Sequence, residues 1–246
     1  MALKLVIDIG NTRAKWAVFE KDELLDVVNA DSVKVVELKE ILNRFPSIDA
    51  AILSAVKSYP EEIDRFLDHH LHYLKLDYHT LLPFANLYET PESLGKDRMA
   101  IAAACRALFP NDNVLAIVAG TTVTYDFVNK QGEYLGGRIS PGLAMRFRAL
   151  NQFTDRLPLV DFEKTAEPEL VGSNTREAIY SGVLGGMLSE MDGMISQAKG
   201  TFDPLKVIIG GGDHKYFDKR LKNNIFAAPN IVLVGLKEIL RFNEEK

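Results

Sequence analysis

Three short segments of this 246-residue chain carry residue types suited to holding phosphate. The first is Asp8-Ile9-Gly10-Asn11-Thr12, with Lys15 three positions on; the second is Gly120-Thr121-Thr122; the third is Gly210-Gly211-Gly212-Asp213. Glycine lets backbone N–H groups approach an anion closely, and clusters of such donors cradle phosphates. Asp8, at the end of an apolar run, is placed to hold Mg²⁺ through water, because magnesium takes oxygen ligands and keeps much of its hydration. Lys15 can meet a phosphate as a point charge. Taken alone, the first segment reads equally well as a plain hairpin turn, since Asn, Asp and Gly dominate turns. Its recurrence at Gly120 and the third loop at Gly210 favour phosphate. The two commonest phosphate motifs are absent: there is no G-x-x-x-x-G-K-[ST], and no G-x-G-x-x-G between a strand and a helix. Protein-kinase signatures are missing too.

The elements around these turns repeat. Leu3 to Ile7 reads as a buried strand, Ala14 to Glu20 as a second, Lys21-Asp22 as a polar turn and Glu23 to Asn29 as a third strand. Val33 to Arg44 follows as a helix, Ala50 to Val56 as a strand, and another helix opens at Pro60. The opening pattern then returns as Val114 to Val118, the Gly120 turn, Val123 to Val128, a polar turn, and Glu133 to Ile139. Aligning Gly10 with Gly120 and Thr12 with Thr122 gives an offset of 110 and sets Asp8 against Val118. Two similar halves are implied, 1–112 and 113–246, each bringing one Gly-Thr loop to a shared cleft. Farther on, a helix from Thr175 to Gln197 can be capped by Ser173 or Asn174, with Met187, Met191 and Met194 as core filler. Leu205 to Ile209 reads as a strand, and Val232 to Phe242 as strand turning into helix. Asn151 to Leu170 reads as a long loop, a feature often functional.

Composition sets the frame without naming the chemistry. With 47% hydrophobic and 26% charged residues, the chain has the balance of a packed globule. A net charge of −5 with no basic stripe argues against nucleic acid as a partner. The start lacks signal-peptide features, and the longest apolar runs fall far short of the ~20 residues of a membrane span. A cytoplasmic protein with no membrane partner is expected. Cys105, the single cysteine, reads as buried and inert, and Trp16 as a core or interface anchor. Asp68-His69-His70-Leu71-His72 holds three of the five histidines but reads as a solvated helix end, with His69 and His72 able to share a face.

A series of motifs resembles type III pantothenate kinase, of the superfamily of actin, sugar kinases and Hsp70 ATPase domains. It runs Asp8-x-Gly-Asn-Thr-x-x-Lys15, Tyr88-Glu89-x-Pro91, Gly95-Lys96-Asp97-Arg98, Gly120-Thr121, Gly136-Gly137-x-Ile139-x-Pro141-Gly142, Gly172-x-x-Thr175 and Gly210-Gly211-Gly212. The resemblance implies an α/β, duplicated actin-like (ribonuclease H-like) fold, with mixed five-stranded sheets flanked by helices. It implies ATP-dependent phosphorylation of the primary hydroxyl of pantothenate, the first step towards coenzyme A. It also implies that Asp8, Gly10, Asn11, Thr12, Lys15, Gly120, Thr121, Gly210 and Gly211 hold ATP, with Mg²⁺ near Asp8. Tyr88, Gly95, Lys96, Asp97, Arg98 and Thr175 would meet pantothenate, with Asp97 as the base, in a homodimer whose sites lie at the subunit interface. Alternatives are a sugar kinase of the same superfamily and a nucleotide-binding accessory factor in transcription.

Asp97 suits such a role physically. It opens a helix-forming segment, where the dipole favours a carboxylate, and a carboxylate is a dependable acceptor for an alcohol O–H. Phosphoryl transfer through a loose transition state needs little early deprotonation, so orienting the hydroxyl is most of the task. Arg98 can serve the substrate carboxylate or developing phosphate charge. One position departs from the family: a carboxylate usually stands two residues before the second Gly-Thr and binds K⁺ or ammonium. Here it is Val118, which cannot ligate a hard cation, so weakened or absent K⁺ activation is expected.

Overall fold

The computed structural model describes residues 2–161 and 167–246. Within it the chain forms two compact units, one built from residues up to Pro110 with Gly132–Tyr134 and Asn230–Lys246, the other from Asn111–Gln131 and Leu135–Pro229.

The first unit opens with β1 (Leu3–Ile9), β2 (Ala14–Glu20) and β3 (Glu23–Ala30), followed by α1 (Val35–Arg44), β4 (Ile48–Ala55), α2 (Glu62–His70) and β5 (His72–Lys75). A two-residue strand β6 (Ala85–Asn86), a 3-10 turn at Pro91–Ser93 and α3 (Lys96–Leu108) come next. The sheet order is β3-β2-β1-β4-β5, with β1 antiparallel to β2 and parallel to β4. Burial follows position. Leu5, Val6 and Ile7 on central β1 are all buried, whereas edge strand β3 alternates exposed and half-buried residues. The register sets Asp8 opposite Lys15 on one side and Ser54 on the other. Trp16 is a core residue of this sheet, as expected.

The second unit repeats the plan. Its elements are β7 (Asn113–Ala119), β8 (Thr122–Val128), β9 (Glu133–Pro141, the first two residues of which count with the first unit), α4 (Leu143–Gln152), α5 (Thr175–Thr201), β10 (Leu205–Gly210), the short α6 (His214–Phe217) and β11 (Phe226–Ala227). They order as β9-β8-β7-β10-β11, with β7 antiparallel to β8 and parallel to β10. This is the first sheet's pattern strand for strand, and β7 begins 110 residues after β1. The fold is therefore α/β with two mixed sheets. The second gains a sixth strand, because β6 pairs with Glu133 and Tyr134 at the start of β9. Asn174 caps α5, accepting from the Glu177 N–H at 3.1 Å, while the Glu177 carboxylate takes the Ser173 N–H at 2.9 Å. Met187, Met191 and Met194 are buried in this unit's core.

The last element, α7 (Ile231–Glu244), differs from the sequence expectation in two ways. Val232-Leu233-Val234 is helical rather than strand, and the helix packs in the first unit, on α3 and against β1 and β4, rather than with 113–229. Both differences have one cause. The Ala-rich α3 presents a flat surface, and at Gly235 a Cβ would stand 1.7 Å from the Ala100 carbonyl oxygen, so the helices meet backbone to backbone. Val232-Leu233-Val234, a short apolar run with two β-branched residues, suits strand or buried helix equally from sequence, and the packing against α3 decides for helix. Lys237 ties α7 to the β2–β3 turn through Asp22 at 2.5 Å.

α4 takes in only Asn151 and Gln152 of the expected loop, and part of that loop, 162–166, lies outside the described residues. α2 ends at His70 and His72 opens β5, so His69 and His72 do not share a helix. Cys105 is free and buried.

Candidate active site

The turn between β1 and β2 is closed by the Gly10 N–H donating to the Arg13 carbonyl at 3.0 Å, and Asn11 and Thr12 stand exposed at its tip. A Cβ on Gly10 would come 3.0 Å from that same carbonyl oxygen, which accounts for the glycine. Asp8 sits at its base. Its Oδ1 is buried and accepts no hydrogen bond, and the neighbouring Ser54 is buried as well. Burial, and then the negative charge of Asp97, push the Asp8 carboxyl up to about 6; the Ser54 hydroxyl and Lys15 oppose the rise. Two carboxylates are thus close enough to feel each other although 89 residues separate them in sequence. An orphaned buried carboxylate oxygen beside a second carboxylate is a donor set that fits a hard divalent cation. Lys57, on the loop after β4, places its ammonium 3.4 Å from the Asn11 carbonyl oxygen and adds a cation to the turn that the sequence did not single out.

Asp97 lies in the first turn of α3, whose N-cap is Gly95. A Cβ on Gly95 would be 2.6 Å from Asp97 Oδ1, so glycine makes room for the carboxylate. That oxygen accepts the Arg98 N–H at 2.9 Å, which fixes the side chain and leaves Oδ2 to point elsewhere. Arg98 is only 5% exposed, with Tyr88 half-buried beside it: the guanidinium carbon stands 5.5 Å from the Tyr88 ring centre. An anion meeting Arg98 there is met out of bulk water, where charge-assisted hydrogen bonds are strong. Lys96, Asp97, Arg98, Tyr88 and Asp8 all belong to the first unit.

In the second unit the glycine loops lock onto one another. The Gly120 N–H donates to the Thr122 carbonyl at 2.9 Å, closing the β7–β8 turn. Gly142, just before α4, donates to the Thr121 carbonyl at 3.2 Å, and a Cβ there would stand 2.1 Å from the Gly120 oxygen. From the other side Gly211, at φ +90°, abuts Ala119, and the Asp213 N–H donates to the Ala119 carbonyl at 3.1 Å. His214 Nδ1 meets the Gly211 carbonyl at 2.7 Å. Gly120 and Thr121 are gripped between two glycines that no other residue can replace without displacing backbone. Gly142 was visible only as a member of the motif series. Val118 occupies in β7 the place Asp8 occupies in β1, flanked by Thr124 and Gly210.

Thr175 is exposed at the first turn of α5, away from these loops in sequence, and lines a groove of about 1130 Å³ between α4 and α5. The groove wall is mostly apolar, with Met145, Leu150, Phe153, Ile179 and Val183 on it. Arg146 borders it, held by Glu190 at 2.5 Å and the Ser140 hydroxyl at 2.8 Å. Among the described residues no group of three or more His, Cys, Asp or Glu could hold a metal, and no helix is long and apolar enough to cross a membrane.

A family model described as type III pantothenate kinase matches residues 4–197. A type III pantothenate kinase of Christiangramia forsetii is 43% identical over 245 residues, covering 98% of this chain and 99% of its own length. Another, of Phocaeicola vulgatus, is 40% identical over 246 residues, covering 99% and 100%. Among solved structures, a protein of the Baf family of transcriptional activators from Campylobacter jejuni superposes with a TM-score of 0.63 at 21% identity, over 98% of this chain and 100% of that one. A glucokinase from an Antarctic psychrotroph gives a TM-score of 0.52 at 14% identity, over 98% and 99%. At such identities the two structural likenesses speak for the actin-like sugar-kinase fold alone.

Proposed function

The chain belongs to the type III pantothenate kinase family, and from that premise we propose how its own residues carry the reaction. It is an ATP-dependent enzyme that phosphorylates pantothenate in coenzyme A biosynthesis. We assign the ATP phosphates to the turn Gly10-Asn11-Thr12 with Lys15, and to Gly120, Thr121, Gly210 and Gly211. The acceptor meets Tyr88, Gly95, Lys96, Asp97, Arg98 and Thr175. The observation that supports this most is the nearness of Asp97, at the start of α3, to Asp8, at the end of β1, whose unpartnered buried carboxylate oxygen it faces as a second negative charge.

The chemistry follows from what these groups can do. The second carboxylate oxygen of Asp97 accepts the hydrogen bond of the primary hydroxyl of pantothenate, orienting the alcohol oxygen towards the γ-phosphorus. As the new P–O bond forms, the bond from that phosphorus to the β,γ-bridging oxygen breaks, ADP leaves, and Asp97 takes the hydroxyl proton. Lys15 offsets phosphate charge as a point cation, and the backbone donors of the glycine turns hold the phosphate oxygens still. A bound divalent ion would supply charge neutralisation for the phosphates, and Asp8, with its unpartnered buried oxygen, is the residue that would hold it. Arg98 takes the acceptor's carboxylate or charge developing on the transferred group. A place inside the cell, expected from the sequence, accords with an enzyme that consumes ATP.

We further propose a homodimer in which Thr175 serves the acceptor site of the partner subunit. Support comes from the mostly apolar groove beside Thr175, from Phe153 (81% exposed) on its wall, and from Leu170 (94%) and Val171 (79%), exposed just before Gly172, which lines it. Mixing subunits tests it. If Asp97 and Thr175 act across the interface, dimers exchanged between Asp97→Asn and Thr175→Val regain one intact site, and the mixture is more active than either variant. Activity that stays at the mean of the two places both residues in one protomer's site.

Val118 bears on the monovalent cation. With valine, Thr124 and Gly210 at that place in the second sheet, no carboxylate is offered, and K⁺ activation is expected to be weak or absent. Titrating K⁺ against a large organic cation at constant ionic strength checks this. A flat response is the expected outcome, and strong saturable activation contradicts it.

A further inference from the structure

Arg98 is a long, flexible side chain buried near the acceptor residues, and the groups packed on its guanidinium bear on its orientation. Two aromatic rings face it. Besides Tyr88, the ring of Tyr134 lies 5.8 Å from the guanidinium carbon, and the two ring centres are 6.2 Å apart with planes inclined at 37°. Tyr134 is fully buried, and Phe84 packs edge-on against it at 6.1 Å. The backbone holds the same arrangement. β6 lies along the start of β9, with the Ala85 N–H donating to Gly132 and the Leu87 N–H to Tyr134, each at 3.0 Å. Tyr88 therefore leaves the sheet directly beside Tyr134. Gly132, at φ +79°, marks the turn that brings Tyr134 there.

We infer that Tyr134 is a positioning residue for the acceptor. Its ring backs both Tyr88 and the guanidinium of Arg98, and so sets the affinity for the acceptor's anionic end without touching the acceptor. The negative face of an aromatic ring attracts a cation, and the attraction is strongest when both are shielded from water, as they are here. The inference rests on the reading of Tyr88 and Arg98 as acceptor-binding residues.

Steady-state kinetics of Tyr134→Leu, Tyr134→Phe, Arg98→Met and the double variant Tyr134→Leu/Arg98→Met separate the two ideas. Tyr134→Leu is expected to raise the KM for pantothenate about ten-fold, with the KM for ATP within about two-fold of wild type. Tyr134→Phe, which keeps the ring face, restores near-normal values. In the Arg98→Met background the Leu substitution has no further effect, because the ring then has no cation to hold. Additive effects of the two substitutions, or a loss that falls equally on both substrates, would reduce Tyr134 to ordinary core and overturn the inference. An Arg98→Met variant with unchanged pantothenate kinetics instead refutes the role of Arg98 itself. Should the Leu variant not fold, progressively fluorinated phenylalanines at 134 keep the shape while draining the ring face. A pantothenate KM that climbs with each fluorine supports the inference, and a flat series contradicts it.

Discussion

Asp97→Asn lowers the turnover number with pantothenate by about 10²- to 10⁴-fold and leaves the KM for ATP nearly unchanged, if the site works as described. The substitution is close to isosteric. The amide oxygen can still accept the Arg98 N–H, which Asp97 Oδ1 takes at 2.9 Å, so the start of α3 is undisturbed. What disappears is a charged acceptor for the alcohol proton. Removing that charge also removes the second of the influences that push Asp8 up to about 6, so the Asp8 carboxyl moves back towards its ordinary range. Steady-state kinetics with each substrate varied in turn would read the first effect, and the pH dependence of Mg²⁺ binding the second. A variant with wild-type turnover refutes any direct role for Asp97.

Asp8→Asn is expected to abolish activity and at the same time to stabilise the metal-free protein. The Asp8 carboxyl rises from 3.8 to about 6 on folding, chiefly because it is buried. A carboxyl whose folded pKa exceeds its unfolded value destabilises the fold once it must ionise. The cost is absent below about pH 3.8, grows between 3.8 and about 6, and is complete above about 6. The full difference corresponds to roughly 3 kcal/mol, an upper bound because Asp8 is not wholly shielded from water. Urea unfolding at pH 8 without divalent ions would therefore show the Asp8→Asn variant more stable than wild type by about 1 to 3 kcal/mol, and the gap would narrow steadily towards pH 4. A variant whose margin over wild type is the same at both pH values contradicts the account of a strained carboxylate kept for a cation. This is the expected trade between stability and function at a site built for charge.

The features legible in the sequence were those with local causes. The two hairpins, β1–β2 and β7–β8, announce themselves through apolar runs broken by Gly-Thr turns, and their spacing exposes the repeat. α7 was only half legible, because its helical state depends on docking against α3, which lies far off in sequence. α4 went unassigned from sequence: it follows Pro141-Gly142 and overlaps the expected loop only at Asn151 and Gln152. The site divides in the same way. Asp8, Lys15 and the glycines could be named from residue type and spacing, and Asp97 and Arg98 from a motif series. Nothing local marks Tyr134, whose place follows from a ring facing a guanidinium 36 residues earlier. Nor does anything local reveal that Asp97 shifts Asp8, an effect that needs the end of β1 and the start of α3 in the same place.

The most direct measurement of the central claim is ATP consumption by the wild-type protein with pantothenate, with a panel of simple sugars, and with no acceptor. Turnover with pantothenate alone, yielding one phosphorylated pantothenate per ATP consumed, is the predicted result. Equal ATP loss with no acceptor, or preferential phosphorylation of a sugar, would contradict it.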